Sequence, residues 1–133
     1  PKISMTELGN KLNLSPNSIK YRFAKLKQRG IFITARQTLD LQLLGYFHYK
    51  VFIFLNALSE TIIEEIKSYL VLGKKVLYIT ESIGDADLEF EIIVKDTYEL
   101  FNELGKMRVQ FTGLIKDFET ILTYEEIDIN KPA

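Results

Sequence analysis

The chain has no cysteine among its 133 residues. That excludes disulfides, thiolate metal ligands and cysteine nucleophiles, and it fits a cytoplasmic location. There is one histidine, His48, so a Ser/His/Asp relay or a His-rich metal cluster would hang on a single ring. No apolar run approaches the roughly 18 to 20 residues of a membrane span. No charged start leads into the apolar stretch of a signal peptide, so a membrane partner is not expected. The phosphate-binding P-loop and the dinucleotide signature GxGxxG are missing as well. Together these absences argue against an enzyme, and no catalytic residue, cofactor or metal ligand is assigned. His48 is expected on a strand as a structural or interface residue rather than as a metal ligand.

The formal net charge of −1 conceals a division. Through Arg36 eight Lys and Arg stand against Glu7 alone, a net +7, and the remainder carries −8. A basic front end on an acidic body suggests a head that binds a polyanion, joined to a part that does not touch it.

The front end is organised around Leu14–Gly30, LSPNSIKYRFAKLKQRG. Ser15 is an N-cap residue, Pro16 suits the first helical position, and Gly30 suits the end, where positive φ is usual. Ile19, Phe23 and Leu26 recur at helical spacing and define an apolar stripe. Asn17, Ser18, Lys20, Tyr21, Arg22 and Lys25 lie off it. Before this helix, Ser4-Met5-Thr6-Glu7 is a capping box, and Leu8 and Leu12 continue an apolar face to about Leu12. Two helices joined by a turn of three to four residues make a helix-turn-helix, whose second helix reads bases while the first braces it. Ile31–Arg36 reads as a β-rich strand, a candidate wing. An ordinary amphipathic surface helix with solvated lysines is the alternative reading of Leu14–Gly30.

Gln37–Gly45 lacks the Gly/Ser/Pro richness of a loose tether, so a fixed connection with Leu39, Leu41 and Leu44 packed is expected. From Tyr46 the pattern changes. Tyr46–Leu55 reads as a long strand, and a helix follows from Ser59, with Ile62, Ile63, Ile66, Tyr69 and Leu70 inward and Gly73 closing it. Lys75–Ile83 is a second strand, Gly84–Ala86 a turn, and Asp87–Lys95 a third strand in which apolar residues alternate with Glu89 and Glu91. A second helix begins at Asp96 or Thr97, with Leu100, Phe101, Leu104, Met107 and Phe111 inward. A last strand runs from about Leu114 to Glu125, and 126–133 reads as a frayed tail.

The order βαββαβ is the ferredoxin-like arrangement, with two helices on one face of a four-stranded sheet. An apolar open sheet face is best covered by a second copy, giving a two-fold dimer. Such a dimer would also place two recognition helices on a pseudo-palindromic site.

The segment KISMTELGNKLNLSPNSIKYRFAKLKQRGIF resembles the winged helix-turn-helix of Lrp/AsnC (feast/famine) transcriptional regulators. The likeness lies in the LSP turn and cap, in Arg22 and Leu26, and in Gly30 followed by an apolar residue. LDLQLLGY resembles the family's connecting segment, and 46–127 its ligand-sensing RAM domain, with a Gly-Asp-x-Asp turn at Gly84–Asp87 and Gly113-Leu114 opening the last strand. The fold class implied is α+β: an N-terminal winged helix-turn-helix over 1–37, a linker at 38–45, a ferredoxin-like sandwich over 46–127 and a tail at 128–133. The family places a further helix ahead of Met5, for which there is no room here. The chain therefore reads either as a fragment or as a head lacking its first helix.

The resemblance implies a regulator that binds double-stranded DNA as a homodimer, often built further into an octamer. It also implies modulation by a small-molecule effector, typically an amino acid. For DNA contact the candidates are Ser15, Asn17, Ser18 and Tyr21 near the start of the recognition helix, with Lys20, Arg22, Lys25 and Arg36 toward phosphates. For the effector they are Ile83, Gly84, Asp85 and Asp87. Ile83 stands where the family often has Thr, and Ala86 where a larger residue is common. A tight hairpin turn without a ligand is the other reading of Gly84–Asp87. The rival function is a dimeric or oligomeric metabolite-binding module without DNA binding. A few Lrp-like proteins are enzymes of haem metabolism, but this chain lacks the Arg/His-rich pocket such chemistry would want.

Overall fold

The computed structural model describes residues 2–30, 38–81, 84–124 and 126–128, the backbone alone for 2, 38, 39 and 126–128. The chain divides into two compact units, 1–47 with 124–133, and 48–123.

The first unit holds β1 (Lys2–Ser4), α1 (Met5–Leu12), α2 (Pro16–Gln28), β2 (Thr38–Asp40), a short 3₁₀ turn (Leu41–Leu44) and β7 (Glu126–Asp128). β7 lies between β1, to which it is parallel, and β2, to which it is antiparallel. The expectation of a frayed tail is therefore corrected at 126–128, where the chain returns to close a small sheet. Such a strand exists only through its partners, because three residues carry no periodic pattern of their own. In the segment expected to pack as a connection, the Leu39 side chain lies outside the described residues. Asp40 caps the 3₁₀ turn by accepting from Gln42 N–H at 3.0 Å, Leu41 and Leu44 are buried, and Gly45 ends it at φ 85°.

The second unit holds most of β3 (Phe47–Leu55), then α3 (Glu60–Val71), β4 (Val76–Glu81), β5 (Leu88–Val94), α4 (Thr97–Gln110) and β6 (Ile115–Thr123). The sheet order is β4-β5-β3-β6, the ferredoxin-like order expected from the sequence. Its antiparallel ladders include β3 with β6, where His48 faces Thr123, and β4 with β5, where Ile79 faces Phe90. Ser59 and Asp96 cap the two helices, accepting from Ile62 N–H at 3.4 Å and Glu99 N–H at 2.8 Å.

One face of the sheet is core. Val51, Ile53, Leu55, Leu88, Phe90 and Ile92 are buried there, under Ile63, Ile66 and Leu70 of α3 and Leu100, Leu104 and Met107 of α4. Ile62 and Tyr69, also expected inward, are half-buried. Phe101 departs from expectation: it is 63 % exposed on the outer side of α4. Spacing explains it, because Leu100, Leu104, Met107 and Phe111 already complete the inward stripe.

The other face is less apolar than expected. Phe52 and Phe54 share it with Lys50, whose Nζ lies 3.7 Å from Glu89, and with His48, paired to Glu91. Among the described residues no helix is long and apolar enough to cross a membrane.

Candidate nucleic-acid interface

Two caps and a glycine shape the head. Ser4 Oγ accepts from Glu7 N–H at 3.1 Å and starts α1. Asn13 ends it in the left-handed region at φ 57°, and Leu14 N–H returns to the Gly9 carbonyl at 2.8 Å. This folds the turn back against α1. The closeness is possible because residue 9 has no side chain: a Cβ there would stand 2.4 Å from the Leu14 carbonyl oxygen. Gly9 thus sets the approach of the turn to the first helix. Sequence reading passed over it, although an isolated glycine inside a helical pattern is the signal that points to such a contact.

Ser15 Oγ accepts from Ser18 N–H at 3.1 Å and donates to Ser18 Oγ at 3.0 Å, so both hydroxyls are engaged in starting α2. Pro16 occupies the first turn. Ile19 is fully buried, and Phe23 and Leu26 are half-buried, which orients the helix. Asn17, Lys20, Tyr21, Arg22, Lys25, Lys27 and Arg29 are exposed, and α2 has no acidic residue. Tyr21 is 61 % exposed, and the Lys25 ammonium lies 4.9 Å from its ring centroid. The exposed surface is therefore cationic from Lys20 to Arg29, with polar and aromatic groups between the charges. A phosphate backbone is the polyanion such a helix fits. The expected wing strand, with Arg36, lies outside the described residues.

The second candidate site resolves differently. Asp87 Oδ2 accepts from Leu55 N–H at 2.8 Å, and Asp87 N–H donates to the Ile53 carbonyl at 2.9 Å. This carboxylate ties the turn to the end of β3. Gly84 and Asp85 are exposed beside it, and Ala86 is buried. Ile83 lies outside the described residues. An apolar cleft of about 240 Å³ lies elsewhere in this unit, between α3 and α4 over Val76, Phe90 and Ile92, with Glu103 at its edge.

His48 is 3 % exposed. Its Nδ1 lies 2.7 Å from Thr123 Oγ1 and its Nε2 2.9 Å from Glu91 Oε1. Burial lowers its pKa below 6.5, against the opposing pull of the Glu91 carboxylate. No group of three His, Asp or Glu side chains is placed to hold a metal among the described residues.

Residues 1–33 match a family model described as winged helix-turn-helix DNA-binding. Among solved structures, E. coli AsnC is similar at 22 % identity over 90 % of this chain and 78 % of that one, with a TM-score of 0.50. An AsnC family transcriptional regulator from Agrobacterium tumefaciens is similar at 17 % identity over 90 % and 77 %, with a TM-score of 0.54. The fold is that of the AsnC-type regulators. A transcriptional regulator from Neisseria meningitidis, solved in complex with L-Met, shares it at 15 % identity over 90 % and 77 %, with a TM-score of 0.51. No curated protein matches the chain.

Within this AsnC-type fold, Ser15, Asn17, Ser18, Lys20, Tyr21, Arg22 and Lys25 all come together on α2. Ser15 and Ser18 bond each other at its start, and the other five are exposed. Gly84, Asp85 and Asp87 share the turn before β5, with Asp87 committed to the backbone.

Proposed function

We propose that this chain is a transcriptional regulator of the Lrp/AsnC type that binds duplex DNA by laying α2 in the major groove. The observation that carries the reading is α2 itself, a doubly anchored helix whose exposed surface is cationic and free of acid, within a segment that matches a DNA-binding winged helix-turn-helix. In this reading Lys20, Arg22, Lys25 and Arg36 contact phosphates, and Asn17, Ser18 and Tyr21 approach base edges. Ser15 serves by fixing the helix start at the DNA. The reading head belongs to the first unit, 1–47 with the returning strand at 126–128, and the second unit, 48–123, is the assembly and sensing part.

The chain acts as a homodimer, two copies pairing through the sheet face that carries Phe52 and Phe54, so that two heads address one site. An amino acid is the effector class. The L-Met complex of a regulator with the same fold supports that class. The Gly84–Asp87 turn, with Ile83 preceding it in sequence, is its proposed position here, with Asp87 holding the turn and Asp85 exposed.

The test is fluorescence anisotropy of a labelled mixed-sequence duplex with the full chain over a range of salt concentrations. Binding at low salt that falls steeply as salt rises supports the reading, since released counterions drive the association. Absence of binding at low salt favours the rival, an oligomeric metabolite-binding module.

A further inference from the structure

The exposed residues of α2 from Asn17 on, Ser18 aside, fall into three parallel stripes. Asn17, Tyr21, Ala24 and Gln28 are spaced i, i+4, i+7 and i+11, so they share one face, and all four are exposed. That face points away from the Ile19–Phe23–Leu26 stripe that anchors the helix, and none of the four is charged. The charges stand on either side of it. Arg22, Lys25 and Arg29 line one margin, and Lys20 and Lys27 the other. An uncharged stripe between two cationic rails matches the cross-section of a major groove, with base edges on its floor and a phosphate strand at each wall.

The chemistry of the stripe is selective. Asn and Gln pair bidentately with the N6 and N7 of adenine, and apolar surface meets the 5-methyl group of thymine. Arg and Lys, the usual partners of guanine O6 and N7, stand only on the rails. The geometry points to a reading stripe for A·T pairs, in which Tyr21 and Ala24 contact thymine methyl groups and Asn17 and Gln28 contact adenine. The Lys25 ammonium over the Tyr21 ring holds that ring toward the stripe's edge, between the base floor and one phosphate strand. This rests on the DNA-binding reading above and adds which bases the helix selects.

Full-length protein is used to select duplexes from a pool with a randomised core, and each thymine of the selected site is then replaced singly by deoxyuridine. That replacement removes the methyl group and keeps the base pair. The expected result is a core of A·T pairs, with about fourfold weaker binding at each contacted thymine, the factor that burying one methyl is worth. In Tyr21→Ala the penalty at one of those thymines disappears. Tyr21 is exposed, so the variant keeps its fold, and an unchanged circular dichroism melt verifies it. Three outcomes overturn the inference and leave DNA binding standing: G·C pairs at the core, indifference to every deoxyuridine, or a penalty unaltered in Tyr21→Ala. A pool from which nothing is retained at low salt overturns both.

Discussion

Asp87 and Leu55 are joined by a 2.8 Å hydrogen bond from the Leu55 backbone N–H to a carboxylate oxygen, 32 residues apart in sequence. With the return bond from Asp87 N–H to Ile53, the pair fastens the start of β5 to the end of β3. A side chain that resembles part of a ligand-sensing motif is therefore also structural. Asp87→Ala is expected to destabilise the protein by about 1–3 kcal/mol, because it leaves a partly buried N–H without its acceptor. Urea unfolding with no small molecule present measures this, and an unchanged midpoint would remove the structural role.

The same pair shows what the sequence could and could not convey. The boundaries of α2 were legible in Ser15, Pro16 and Gly30, because caps act within a few residues of themselves. The alternating pattern of β5 and the inward stripes of both body helices were legible for the same local reason. The partner of Asp87 was not, since which backbone group meets a carboxylate across a sheet depends on register. β7 was hidden in the same way, its pairing with β1 joining opposite ends of the chain. Phe101 misled because an apolar residue beside an inward stripe looks like part of it. Gly9 was visible as a residue but its task was not, as the neighbouring Leu14 carbonyl is placed only by the turn.

Gly9→Ala is expected to damage the head specifically. A methyl group 2.4 Å from a carbonyl oxygen must push α1 and the turn apart. The cost should be about 1–3 kcal/mol, the usual range for overpacking. Circular dichroism melts will read the loss, and DNA affinity should fall with it. A variant as stable as the parent would show that the turn can shift freely.

Protonation of His48 links stability to pH. Its folded pKa lies below 6.5, so the unfolded chain binds the proton more readily than the folded one. The resulting contribution is intact above the unfolded value of about 6.5 and is lost as pH falls toward the lower folded value. Glu91→Gln removes the partner that raises the folded pKa, so the loss on acidification should deepen. His48→Gln should remove this part of the pH dependence. Unfolding midpoints at several pH values between 5 and 8 check both, and a parent and His48→Gln with parallel profiles would contradict the linkage.

Lys20→Ala and Lys25→Ala should each weaken DNA binding on any sequence. Each should also reduce the slope of log affinity against log salt by about one, the signature of one lost phosphate contact. Anisotropy titrations at several salt concentrations supply both numbers. Weakening confined to one sequence would place those lysines on bases instead.

The central claim is that α2 is the surface that meets DNA. Hydrogen–deuterium exchange of the full chain, with and without a bound duplex, tests it most directly. The account predicts slowed exchange concentrated in residues 15–29 when duplex is added. Unchanged exchange across that helix, with protection appearing only within 48–123, would contradict it.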